Sequence, residues 1–221
     1  MSAPTLSPLL TAAVQDRTSG ATGVARQVLD GLAEFVHDPP ALRTVVAPLP
    51  GLLPGYASMW HIARAANSAD PGPALRAIRD QLDTDVERSV ATATRLMHQR
   101  GGWARTAPSS ALVKAVVAGL PAGTVDVPGT EGLQPVTGLA GADAISPTRV
   151  LNIKGTLALA RSVPTIVVTT SLKLVPESVF GGLGSPLFER IPLDAFWAVV
   201  LDGELLTPAE VSRRAAQLPA G

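Results

Sequence analysis

The chain has 221 residues, 46% hydrophobic and 16% charged, a balance that favours a buried core over disorder and is long enough for two modest subdomains. Eighteen basic residues match eighteen acidic ones, so the basic surplus that nucleic-acid binding draws on is missing and nucleic acid is not an expected partner. No cysteine occurs, which removes disulfides, thiolate metal sites and cysteine nucleophiles together.

The opening MSAPTLSPLLTAAVQDR lacks the basic start and sustained apolar core of a signal peptide. No segment reaches the ~20 apolar residues that span a bilayer, so a membrane is not expected and cytoplasm is the expected compartment. Leu6, Leu9, Leu10, Ala13 and Val14 share one helical face. A second helix is predicted from Ser19, with Val24, Val28, Leu32 and Val36 four apart. Asp38-Pro39-Pro40 stops it, because proline lacks an amide and clashes with the preceding turn. Residues 47–55, broken by Pro48, Pro50, Pro54 and two glycines, read as a structured loop, and a helix follows over Ala57 to Ala66. The longest helix is predicted from Pro73 to Arg100 on the spacing of Leu75, Ile78, Leu82, Val86, Val90, Ala93 and Met97. Arg76–Asp80 and Arg79–Asp83 form i,i+4 pairs on its outer face, and Gly101-Gly102 ends it.

Beyond Gly102 short apolar runs alternate with helical stretches, the pattern of a mostly parallel sheet with crossover helices. The expected class is therefore α/β: a helical domain over residues 1–100, then a Rossmann-like domain over 101–221 with a small sheet. Strands are predicted at Trp103–Thr106, Thr124–Val127, Asp143–Ser146, Thr165–Thr170 and Asp194–Leu201. A helix over Ser109 to Leu120 is capped by Ser109 or Ser110. Thr207-Pro208-Ala209-Glu210 carries a capping-box pattern that opens a last helix.

Three stretches place small and polar residues after predicted strands: Thr106 to Ser110, Gly141-Ala142-Asp143, and Asn152-Ile153-Lys154-Gly155-Thr156. In an open α/β sheet, ligands lie outside the carboxyl ends of strands, where helix N-termini offer free amides to anions. Gly155-Thr156 opening a helix fits that role, with Asn152 and Lys154 beside it. Ordinary strand-to-helix turns favour the same residues, so spacing leaves both readings open. Asp143 is a candidate acid or base or a turn cap. Lys173, after the β-branched strand, is a candidate anion contact or an exposed loop lysine. His37, His61 and His98 are scattered over helices, so no metal site is expected, and no cofactor motif is present.

Taken together, GADAISPTRVLNIKGTLALARSVPTIVVTTSLKLVP resembles the signature region of one superfamily. It contains the regulatory subunits of translation initiation factor 2B, methylthioribose-1-phosphate isomerase and ribose-1,5-bisphosphate isomerase. The matching elements are Gly141-Ala142-Asp143, Asn152 with Gly155-Thr156, Pro164 before TIVVTT, and Lys173. SGATGVARQVLDGLAEF and IPLDAFWAVVLDGELLTP resemble the first helix of the helical domain and the last strand. The resemblance implies a ligand between the two domains, with Gly20, Ala21, Asp143 and Asn152 lining a sugar-phosphate pocket, and a homodimer built on the C-terminal domain. Ser109, Ser110, Lys154, Gly155, Thr156 and Lys173 complete the candidate ligand-binding set, with Asp143 the candidate catalytic residue.

Departures from the pattern shape the expected function. Pro108 stands roughly where the isomerases carry a catalytic cysteine. Ser19 replaces the arginine before Gly-Ala, with Arg17 two positions away. Ile153 replaces the lysine after Asn152, and Lys154 is displaced by one. The interval from Gly119 to Gly141 is too short for a strand–helix unit that the family carries. The favoured reading is an initiation factor 2B-like, regulatory or non-catalytic protein that binds a small phosphorylated metabolite, a sugar phosphate or nucleotide. The alternatives are an aldose–ketose sugar-phosphate isomerase, an intramolecular oxidoreductase using Asp143, and a protein-interaction subunit.

Overall fold

A computed structural model of the chain describes residues 6–108, 110–126 and 136–219. The front half is helical: α1 Pro8–Gln15, α2 Gly20–Leu32, α3 Pro39–Val46, α4 Leu49–Leu52, α5 Ser58–Ala66 and α6 Pro71–Gln99. Asp38-Pro39-Pro40 both stops one helix and starts another. The Asp38 carboxylate accepts from the Ala41 amide at 3.1 Å, and the prolines occupy a first turn where no amide is needed. Residues 47–55, expected as a loop, contain the single turn α4. Leu10, Val24, Val28, Leu32, Leu42, Ile62, Leu75 and Leu82 pack one core from all these helices.

α6 joins the two halves. Its first turns bury Leu75 and Leu82 in the helical core, while Ala93 and Met97 pack against the sheet that follows. Arg79 pairs with Asp83 as expected and also reaches Asp30, whereas no pair forms between Arg76 and Asp80.

The back half comprises β1 Ala104–Thr106, α7 Ala111–Ala118, β2 Thr137–Ala140, β3 Ala144–Ile145, β4 Arg149–Ile153, α8 Thr156–Ser162, β5 Thr165–Thr169, α9 Glu177–Phe180, β6 Phe188–Pro192, β7 Ala198–Leu201, β8 Glu204–Leu206 and α10 Pro208–Ala216. The main sheet runs β1-β2-β5-β7-β8, parallel through β7 and antiparallel at β8. β3, β4 and β6 form a small antiparallel sheet beside it. Alternation sorts the strand residues into layers. Ile166, Val168 and Val200 face α6 and α7, while Val167, Val199 and Leu201 face the layer holding Val211 and Ala215 of α10. The architecture is the expected α/β class with a small, mostly parallel sheet.

Several elements differ from expectation. β2 is not among the predicted strands: TGLA has no β-branched run, and Gly138 is required because a Cβ there would lie 2.2 Å from Thr165 Oγ1. The segment from Thr124 contributes one bridge, Val125 to Ala104, and its Val127 lies outside the described residues. Residues 194 and 195 form a 3-10 turn, so that strand begins only at Ala198. Asn152 and Ile153 sit within β4 rather than after a strand.

Candidate functional site

The site forms where the carboxyl ends of β2 and β5 meet the helical half. β2 ends at Ala140, and the chain turns through Gly141-Ala142-Asp143. Gly141 lets this turn pass close to α7, since a Cβ there would approach Ser110 Oγ to 2.5 Å. Ser110 caps α7 by accepting from the Val113 amide at 3.3 Å. Asn152 is buried and donates from Nδ2 to the Gly141 carbonyl at 2.8 Å, so its amide positions the turn. The Asp143 amide donates to Leu151 O at 2.9 Å, and its carbonyl accepts from the Ala57 amide at 3.2 Å. Thus fixed, the Asp143 carboxyl is pushed by burial up to about 6, with the Lys173 charge opposing that shift.

Lys173 follows β5 in a 3-10 turn over Ser171–Lys173. Three bonds from three elements hold this turn. The Ser89 hydroxyl of α6 donates to Thr169 O at 3.0 Å, the Ser171 amide donates to Asp202 Oδ1 at 2.8 Å, and His61 Nε2 of α5 bonds Leu174 O at 2.7 Å. Burial drives His61 down to about 4, so it is neutral and donates that bond from Nε2. Lys173 is 3% exposed, its Nζ has no hydrogen-bond partner, and no ion pair joins it to Asp143. Burial pushes the ammonium down to about 8, against the attraction of Asp143. The hydroxyls of Thr169 and Thr170 beside it are also buried without partners. The exposed loop lysine that sequence reasoning offers as the alternative is therefore not what forms.

The third wall is the N-terminus of α2. Gly20 takes a positive φ of 65°, open to glycine without strain. Ser19 makes no side-chain cap bond, and the first-turn amides of a helix have no intrahelical acceptor. Asp16 instead is bound by the Ser19 hydroxyl and accepts from the Thr18 and Ser19 amides, which together hold its carboxyl well below the usual carboxylate range. Arg17 donates to Val14 O at 2.7 Å and to Asp16 O at 3.0 Å.

These walls line two neighbouring spaces that share Gly20, Ala21, Asp143 and Asn152. The inner recess has a volume of about 30 Å³ and is lined by Ser110, Asp143, Asn152, Thr169, Thr170 and Lys173 among others. The outer chamber measures about 350 Å³ and adds Arg17, Leu52, Tyr56, Leu187 and Phe188. Leu187 is 68% exposed at its rim. Burial and the charge of Asp143 raise the Tyr56 phenol, which stays protonated.

Gly20, Ala21, Ser110, Asp143, Asn152 and Lys173 thus meet in one cleft. Lys154, Gly155 and Thr156 line neither space. The Lys154 side chain is exposed and Thr156 Oγ1 donates to Ile153 O. The first turn of α8 is already occupied, because the Leu157 amide donates to the Glu189 carboxylate at 2.8 Å. Ser109 lies outside the described residues. Sequence reasoning passes over Tyr56, Thr169 and Thr170 as site residues; the position of the two threonines at the carboxyl end of a β-branched strand is the available signal. No group of three or more metal-ligating side chains occurs among the described residues.

A helical layer set against the carboxyl ends of a mostly parallel sheet defines a recognisable fold class. It is the fold shared by translation initiation factor 2B subunits and methylthioribose-1-phosphate isomerase. The translation initiation factor eIF-2B of Pyrococcus horikoshii OT3 superposes with a TM-score of 0.70 at 13% identity, over 91% of this chain and 96% of that one. A chain of the tetrameric eIF2B-beta2-delta2 complex from C. thermophilum gives 0.69 at 14% identity, over 94% and 92%. The 5-methylthioribose 1-phosphate isomerase of Pyrococcus horikoshii OT3 gives 0.56 at 13% identity, over 94% and 86%. No family model matches the sequence, and no curated protein matches it. No helix among the described residues is long and apolar enough to cross a membrane.

Proposed function

We propose that this is an initiation factor 2B-like protein that binds a small phosphorylated metabolite, a sugar phosphate or nucleotide, without isomerising it. The ligand lies in the cleft between a helical domain of residues 1–100 and an α/β domain of 101–221. The observation that carries this reading is the uncapped N-terminus of α2 opening into a chamber of about 350 Å³ beside Arg17. Free first-turn amides and the helix dipole favour a phosphate there. Asp143 and Asn152, at the junction of chamber and recess, take the hydroxyls of the attached sugar. Leu52, Tyr56, Leu187 and Phe188 offer apolar surface to the rest of the molecule.

Hydrogen transfer between two sugar carbons needs an acid or base on each side of the reacting pair. Besides Asp143 the chamber offers Tyr56, whose raised phenol is no base near neutral pH, and Lys173 of the recess is an amine placed for the carbonyl rather than for a second proton transfer. That favours binding over isomerisation. A homodimer through the α/β half belongs to the same reading, supported by the exposed Trp197 and Leu205 on that half. The test is calorimetry with ribose 5-phosphate, ribitol 5-phosphate and AMP, alongside an NMR assay for aldose–ketose conversion. Binding of at least one phosphate ester that Arg17→Glu weakens, with no turnover, is the expected result. Turnover lost in Asp143→Asn would instead establish the isomerase.

A further inference from the structure

We propose that Lys173 captures the open-chain carbonyl of the ligand as a reversible imine; the step deepens the binding reading above and rests on it only for the phosphate end.

Size decides which end of a ligand meets Lys173. A space of about 10–15 Å³ admits one water, so the recess of about 30 Å³ takes a group of two or so heavy atoms and excludes a phosphate. A carbon–oxygen unit fits. The phosphate stays outside at Gly20, Ala21 and Arg17, and the carbon end of the molecule points inward.

The recess supplies the other requirements of imine formation. The Lys173 amine is buried and its nitrogen has no partner to displace. The Thr169 and Thr170 hydroxyls, equally without partners, are donors for the carbonyl oxygen. Asp143 shares the recess as a proton shuttle. Residue choice points the same way. The chain carries fifteen arginines and three lysines, Lys114, Lys154 and Lys173, and a lysine occupies the buried position. An arginine there would stay charged, whereas a buried ammonium readily gives up its proton. The charged or titratable neighbours facing it are Asp143 from the turn after β2 and His61 from α5.

The step balances. The amine lone pair forms a C–N bond to the carbonyl carbon while the carbonyl π electrons move to oxygen. Asp143 takes a proton from nitrogen and returns it to that oxygen, giving a carbinolamine. The nitrogen lone pair then expels the hydroxyl, which leaves as water with a proton relayed by Asp143 from nitrogen. Amine plus aldehyde become imine plus water, and hydrolysis reverses the sequence.

The test is reductive trapping on the full chain at pH 8 with sodium cyanoborohydride, followed by peptide mass mapping. Glycolaldehyde, which carries no phosphate and needs only its carbon–oxygen end in the recess, and ribose 5-phosphate are the two probes. At that pH a lysine titrating at about 8 holds about a hundredfold more neutral amine than one at the usual 10.4. Lys114 and Lys154, both exposed, are internal controls. The expected result is an adduct on Lys173 at least about tenfold above either control, slowed in Asp143→Asn and absent in Lys173→Arg. Equal labelling of the three lysines, or none at Lys173 with glycolaldehyde, overturns the proposal even where ribose 5-phosphate binds by calorimetry. Glycolaldehyde labelling of Lys173 without binding of any phosphate ester keeps the imine and removes the phosphate reading.

Discussion

Two helices begin at a glycine with positive φ: α2 at Gly20, with φ 65°, and α8 behind Gly155, with φ 102°. Both present first-turn amides, and both are small-residue turns of the kind that anions favour. Their fates differ because of what the tertiary structure brings to each. At α8 the antiparallel pairing of β4 with β6 places Glu189 opposite Asn152, and its carboxylate takes the Leu157 amide. At α2 the nearest carboxylate, Asp16, is spent on the Thr18 and Ser19 amides one step earlier. One N-terminus carries its own anion; the other opens into the cleft. A helix N-terminus is therefore open to an anion only where no side chain has already filled it.

The largest effect that separates the two should come from placing a β-branched residue at each glycine. Gly20→Val strains a left-handed backbone position and crowds the free amides. Two charge-assisted bonds to a phosphate are worth about 1.5–3 kcal/mol each, so affinity for a bound phosphate ester should fall by at least about a hundredfold, and by up to about ten-thousandfold if both are lost in full. Gly155→Val meets the same backbone strain, of order 1–3 kcal/mol, in the open space around that residue. Its melting temperature should drop while affinity holds. Calorimetry on both variants decides this, and an equal loss of affinity in the two would break the distinction between the helices.

Much of the frame was legible because local chemistry and tertiary role agree. The β-branched run Thr165–Thr169 is the strand at the centre of the sheet, and Thr207 with Glu210 forms the expected capping box. Legibility failed where a partner distant in sequence decides the outcome. Nothing near Gly155 announces that Glu189 will cap its helix, and nothing in TGLA announces a strand until Thr165 packs on Gly138. The turn carrying Lys173 is buried by Ser89, His61 and Asp202, which come from three other elements. Single-residue reasoning sees a lysine after a strand and cannot see that lid.

The cleft beside α2 should also show its nature as a stability deficit. Lys173 is lowered from 10.5 to about 8, so the unfolded chain binds more protons between those values. The penalty is therefore full below pH 8 and is relieved as pH rises toward 10.5, by about 1.4 kcal/mol for each pH step between the two values. Asp143 works in the opposite sense: raised to about 6, its penalty is absent below 3.8 and full above 6. Lys173→Met removes the first penalty but leaves Asp143 without its opposing charge. The net gain at pH 7 should be about 2 kcal/mol, smaller than the lysine alone implies. Denaturant unfolding at pH 7 and pH 10.5 checks it, with the gain expected to shrink at the higher pH. A destabilised variant at pH 7 would mean that the ammonium is satisfied in the folded protein.

The smallest effect belongs to the filled N-terminus. Glu189→Ala removes the carboxylate from the Leu157 amide and leaves the first turn of α8 without that acceptor. Replacing a capping side chain by alanine typically costs about 1 kcal/mol, and the favourable placement of a negative charge at a helix N-terminus is lost with it. In a chain of this length a change of that size moves the melting temperature by about 2–4 °C. Leu157 is partly buried, yet α8 is short and near the surface, so water can reach the vacated amide and hold the loss near the lower end. Affinity for a phosphate ester should be unchanged, because Glu189 lines neither the recess nor the chamber. The vacated turn also makes a sharper demand. If an uncapped N-terminus sufficed for binding, Glu189→Ala would gain a second phosphate site, and the calorimetric stoichiometry would rise from one to two. It should stay at one: Lys154 stands beside the α8 turn as Arg17 stands beside α2, but Lys154, Gly155 and Thr156 line neither the recess nor the chamber.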